Sequence, residues 1–182
     1  PLQRRPVHPT GGGAFTFGIV MAKETTEPFD AARAHRHFSS ACFNDTWELI
    51  EKPNRSSADE EAMVLCALAS LWHWTQRPDC TDQNLSIAYW QVSRTYALTG
   101  QGENAQKHAQ RSLELAKDLS PFYKGYAHEA IARAALVSRN DELFAEHLAQ
   151  ARSLWGSMSD IEEKESLQKD LTELSTLAHG AA

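Results

Sequence analysis

Trp90, Arg94, Tyr126, Glu129 and Arg133 are the residues whose types and spacing are best suited to chemistry in this chain. Arg94 follows Trp90 by four positions, and Arg133 follows Glu129 by four and Tyr126 by seven, so on helices each set shares one stripe. A guanidinium fork donates two parallel hydrogen bonds to a carboxylate or phosphate, and nearby rings add stacking area and cation–π attraction. The set therefore suits an acidic peptide, or a small anion attached to something flat or apolar. A plainer reading stands beside it: Glu129 and Arg133 as a surface ion pair worth a few tenths of a kcal/mol, about 0.3, and Trp90 as a filler between helices. Trp47, His73 and Trp74 offer a second wall, or equally a half-buried rim and an imidazole stabilised at a helix end by the macrodipole. An enzymatic alternative uses the same cleft, with Glu129 or His73 as acid or base and the arginines holding an anionic substrate. No catalytic residue is assigned.

Other constellations fail on spacing. His128-Glu129-Ala130-Ile131-Ala132 begins like a zinc-protease helix, but Ala132 stands where the second histidine is required. His35 and His37, two apart, point to different faces of a helix and cannot share one ion. Gly11 to Gly13 lack the Gly-Lys-Ser/Thr and helix start of a phosphate loop. No Ser or Cys sits in a recognisable nucleophile motif, and neither metal nor cofactor is expected.

The chain has 182 residues, enough for a single buried core, with 42% hydrophobic and 23% charged residues. A net charge of −6 and no basic run longer than Arg4-Arg5 argue against nucleic acid and against anionic membrane surfaces. Cys42, Cys66 and Cys80 are odd in number and show no CxxC spacing, which fits free thiols in a cytoplasmic protein. Arg4-Arg5 before Ala14 to Ala22 imitates a short signal peptide, yet Thr16 and Gly18 interrupt the apolar run. Residues 1–26 are accordingly expected to form a flexible extension to one helical domain over 27–179.

Turn signals at Pro53-Asn54, Arg77 to Asp79, Gly100 to Gly102, Ser120-Pro121, Arg139-Asn140 and Gly156 divide the remainder into seven expected helices, with no alternating strand pattern. The first is expected over about 28–51. Ser57 with Glu60 reads as the capping box of the second helix and Ser159 with Glu162 as that of the seventh. Asp82 is the expected cap of the third, Gly102-Glu103 opens the fourth, Ser120-Pro121 the fifth, and Asn140 or Asp141 the sixth. Leu65, Leu68, Leu71 and Trp72 form the expected core stripe of the second helix, whose other faces are also nearly apolar, and Ile161, Leu167, Leu171, Leu174 and Leu177 form the broad stripe of the last. These two helices also offer surfaces for self-association into a homo-oligomer.

A shift of 39 residues lays Tyr89, Val92, Ser93 and Tyr96 over His128, Ile131, Ala132 and Ala135, and Ser112 over Ala151. It also carries Trp90 and Arg94 onto Glu129 and Arg133, on a stripe roughly 140° from the core stripe at about 100° per residue. Tyr89, Val92, Ser93, Tyr96, Gly100, Ala105, Ala109 and Ser112 follow a large, large, small, aromatic, turn, small order that resembles the tetratricopeptide repeat. Taken with "HRHFSSACFNDTW", "LWHW", "YWQVSR" and "YAHEAIARA", the chain is also similar to short bacterial repeat-type proteins without an assigned activity. The resemblance implies an all-α solenoid of about three helical hairpins closed by a C-terminal capping helix. It further implies that Trp90, Arg94, Tyr126, Glu129 and Arg133 line a concave groove holding a peptide, a protein segment or an anionic small molecule.

Overall fold

A computed structural model describes residues 29–180, and the expected extension over residues 1–26 lies outside them. Among the described residues there are seven helices and no strand: α1 (Ala31–Glu51), α2 (Ser57–Thr75), α3 (Asp82–Leu98), α4 (Gly102–Ala116), α5 (Pro121–Val137), α6 (Asp141–Ser157) and α7 (Ile161–Gly180). Connections of three to six residues join them. Such short links force successive helices to lie side by side. α1 packs on α2, α3 on α4 and α5 on α6, while α3 also runs against α5 and α5 against α7. The result is an all-α, solenoid-like array of three hairpins with α7 added at the end.

The 39-residue register is built into the backbone. α3 (Asp82–Leu98) and α5 (Pro121–Val137) correspond at both ends under that shift, as do the starts of α4 and α6. Gly100 and Arg139, equivalent under the shift, both take the left-handed conformation that ends a helix, with φ of 73° and 55°. Small residues permit close hairpin packing: Ser93, Ser112, Ala132 and Ala151 are fully buried, and Ser93 Oγ donates to the Ala105 carbonyl across α3 and α4.

Several helix starts differ from expectation by a residue or more. α1 begins at Ala31, capped by Asp30 accepting from the Arg33 amide. Ser56 and Asp59, rather than Ser57 and Glu60, form the capping box of α2, because Asp59 reaches back to the Ser56 amide at 2.9 Å and also pairs with Lys52. Thr81 with Asn84 replaces Asp82 as the cap of α3, and Asp160, accepting from the Glu163 amide, replaces Ser159 at α7. Each true cap keeps its own backbone extended or outside the helix while its side chain reaches the third amide. The face of α2 also differs. Leu65 and Trp72 are 59% and 54% exposed, whereas Met63, Ala67, Ser70 and Leu71 are buried. Small Ser70 lets α1 approach, its Oγ donating to the Ser39 carbonyl of α1, while Ala67 lies in the core cluster with Ala88 and Val92 of α3.

Candidate functional site

The five residues singled out in sequence do converge, on the side of the array formed by α3 and α5. Trp90 Nε1 donates to Glu129 Oε2 at 3.0 Å, so the equivalent positions of the two hairpins touch each other. Arg133 Nε donates to Glu129 Oε1 at 2.8 Å. Tyr126 meets Trp90 edge-to-face, with ring centroids 5.2 Å apart. Trp47 of α1 joins from the other side: its ring centroid lies 5.7 Å from that of Trp90, and the Arg94 guanidinium carbon lies 5.8 Å from the Trp47 ring centre.

The set is covered, and α7 covers it. Arg94 Nη1 donates to Asp170 Oδ1 at 2.9 Å and Nη2 to Glu173 Oε2 at 3.4 Å. Arg133 Nη1 donates to the other oxygen of Glu173 at 2.9 Å, so this carboxylate bridges the two guanidiniums. Arg94 and Arg133 are only 7% and 4% exposed, and Glu129 is fully buried. The surface ion pair considered for Glu129 and Arg133 is thus an interior one, in which withdrawal of either partner deprives the other of its nearest counter-charge.

Two guanidiniums face three carboxyl groups here, and the protonation tendencies reflect that excess. Burial raises the Asp170 carboxyl above its usual range; Arg94 opposes this, but Glu129 adds to it. Burial also works on Glu173, yet the charge and hydrogen bonds of Arg133 and Arg94 outweigh it and hold the carboxyl below its usual range. Arg133 is driven higher still, since Glu129 and Glu173 together overcome the burial that opposes its charge. Tyr126 rises above an ordinary phenol through burial and then through the nearby Asp170 charge.

α7 reaches this position on apolar side chains. Leu167, Leu171 and Leu174 are essentially fully buried and join Ala132, Leu148, Ala151 and Met158 in one core cluster, whereas Ile161 and Leu177 of the same expected stripe, near the two ends of α7, are 71% and 48% exposed. Gly125 makes the approach possible: a Cβ there would stand 2.7 Å from Leu167 Cδ2. The expected capping helix therefore also supplies Asp170 and Glu173, which reasoning from local pattern missed. Their signal was an i, i+3 acidic pair interleaved with the leucines that face α5.

The second group separates. Trp47 belongs to the covered cluster, whereas Trp74 stacks under the Arg77 guanidinium at 3.9 Å and packs on the α2–α3 core. His73 pairs with His35, Nδ1 to Nδ1 at 2.9 Å. Glu129 and His73 consequently lie in different clusters, and both oxygens of Glu129 are already engaged. Among the described residues no three His, Cys, Asp or Glu gather around a point that could hold a metal ion, and no helix is long and apolar enough to cross a membrane. Cys42, Cys66 and Cys80 are unpaired, and burial pushes each thiol up.

A second imidazole pair joins α5 to α6: His128 Nδ1 and His147 Nδ1 lie 2.9 Å apart. Burial, then the adjoining His147, pushes His128 down to about 4, against the pull of Glu146. A histidine held below its unfolded value binds fewer protons in the folded state, so its contribution is complete above about 6.5 and is lost as pH falls toward 4. With allowance for solvent around a half-buried ring, the loss should be about 1–2 kcal/mol. Urea midpoints measured against pH for the parent and His128→Gln should show it as a smaller acid slope in the variant; equal slopes would refute this assignment.

Compared with known proteins, the chain matches no family model, no curated protein sequence and no solved structure.

Proposed function

We propose that the chain is a non-catalytic binding module of tetratricopeptide-like build, in which the α3–α5 face takes an acidic helical segment of a partner. One observation carries the reading: Arg94 and Arg133 already grip Asp170 and Glu173, an i, i+3 carboxylate pair on a leucine-bearing helix. α7 is then the internal occupant of a site whose chemistry selects acidic amphipathic helices. A partner helix with the same pattern exchanges leucine for leucine and carboxylate for carboxylate, so most of the cost of removing α7 is offset by what replaces it. An isolated anion gains less, because the resident carboxyl groups already outnumber the guanidiniums. The three unpaired thiols support a reducing, cytoplasmic setting.

The test weakens the internal occupant and supplies it from outside. In the full chain, Asp170→Asn with Glu173→Gln removes both charged contacts while keeping side-chain size. A synthetic peptide of residues 161–180 should bind this variant at least about tenfold more tightly than the parent chain, a difference of about 1.4 kcal/mol. The same peptide carrying the Asn and Gln changes should lose that advantage. Equal binding of both peptides would overturn the reading. The enzymatic alternative gains no support from the geometry, since Glu129 is sealed from solvent and His73 stands apart from the arginines.

A further inference from the structure

Beside the covered cluster, a cavity of about 200 Å³ remains open with α7 in place. It lies between α3, α4 and α5, lined by Ile87, Trp90, Phe122, Tyr123 and Tyr126, with Ser86 and Ser112 also at its wall. Its rings form a continuous edge-to-face series. Trp90 meets Tyr126 at 74° between ring planes, Tyr126 meets Phe122 at 79°, and Phe122 meets Tyr123 at 81°. Aromatic pairs favour such geometry, and a further ring entering the series gains the same kind of contact.

The serine hydroxyls and the indole N–H at the wall are already committed. Ser112 Oγ donates to the Ser86 carbonyl at 2.9 Å, and Ser86 Oγ approaches the Ser112 carbonyl and hydroxyl at 3.1 and 3.2 Å. Trp90 Nε1 is given to Glu129. A charged guest would lose its hydration and find no counter-charge among the lining residues. An apolar guest meets no such penalty. Apolar protein cavities of roughly 150 Å³ stay dry and accept benzene, so the space here is sufficient for one small ring system.

We propose that this cavity is a binding site for a small, flat, uncharged aromatic molecule. The site is complete without any movement of α7 and does not rest on the partner-helix reading. Its seat on Trp90 places the guest one side chain away from the Glu129 cluster.

Indole serves as the probe, titrated into the full-length protein by calorimetry, with benzoate as a charged control of similar breadth and a short tryptophan-containing peptide as a control for docking of a protein side chain. Indole should bind saturably at one site per chain, with benzoate at least about tenfold weaker. Ile87 is only partly buried, so Ile87→Trp fills the cavity from its edge and should abolish indole binding while leaving the helical content and melting of the protein unchanged. If that variant fails to fold, resonances of Phe122 and Tyr123 in the parent protein give a second measurement: they should shift on indole addition, while those of Trp72, exposed on α2 and outside the cavity lining, stay fixed. Absence of saturable binding overturns the proposal, as does equal affinity for benzoate or full binding by folded Ile87→Trp. Binding of the peptide but not of free indole also overturns it. Retention of indole by the Asp170→Asn, Glu173→Gln variant is expected, so failure of the α7 exchange test and failure of this one are distinguishable.

Discussion

Glu129→Ala is expected to lower the unfolding free energy by about 3–5 kcal/mol, the range for breaking an interior ion pair from one side. The substitution leaves Arg133, 4% exposed, without its nearest counter-charge and leaves the Trp90 indole N–H without an acceptor. Glu173 still faces Arg133, which keeps the loss from being larger. Urea unfolding followed by tryptophan fluorescence should record the change directly. The companion variant Glu129→Leu, Arg133→Met removes both members of the i, i+4 pair, and with no charge stranded between them it should recover a substantial part of the loss. A single Glu129→Ala variant within about 1 kcal/mol of the parent would show that the charges are satisfied by water, contrary to their burial.

Leu167→Ala should cost about 2–5 kcal/mol, as for other fully buried leucines. What distinguishes this site is its contact with Gly125, whose missing side chain leaves room for Leu167 Cδ2. Gly125→Ala alone gains about 1 kcal/mol of helix propensity but inserts a methyl against Leu167, an overpacking that typically costs about 1–3 kcal/mol. In the double variant the new methyl enters space that the shortened side chain has left. The pair should therefore be less damaging than the sum of its parts, by about 1 kcal/mol in a double-mutant cycle. Strict additivity would mean that α7 does not rest on α5 through this contact.

Sequence periodicity revealed the array because its information is local. Helix phase put Trp90 with Arg94 and Glu129 with Arg133, and the 39-residue register predicted which residues of α3 and α5 correspond. Cap assignments slipped by a residue where adjacent candidates compete: Ser56 and Ser57 each have an acid three positions later, and only backbone conformation chooses between them. α2 misled for another reason. Being apolar on nearly every side, it carries little phase information, and the small Ala67 and Ser70 win the close approach over the larger Leu65. The position of Asp170 and Glu173 against Arg94, 76 and 79 residues away, depends on tertiary path and was invisible to any local pattern. The stripe shared by the two hairpins is thus covered by a later helix.

The Trp90–Glu129 hydrogen bond has a consequence for how such an array can grow. Slots related by the repeat do not merely resemble one another; they are joined, one as donor and the next as acceptor. Duplicating either hairpin unchanged would set tryptophan against tryptophan or glutamate against glutamate at that seam. Divergence at this position is therefore what lets this seam carry a hydrogen bond, and it gives the second and third hairpins an order that their backbone symmetry alone does not have.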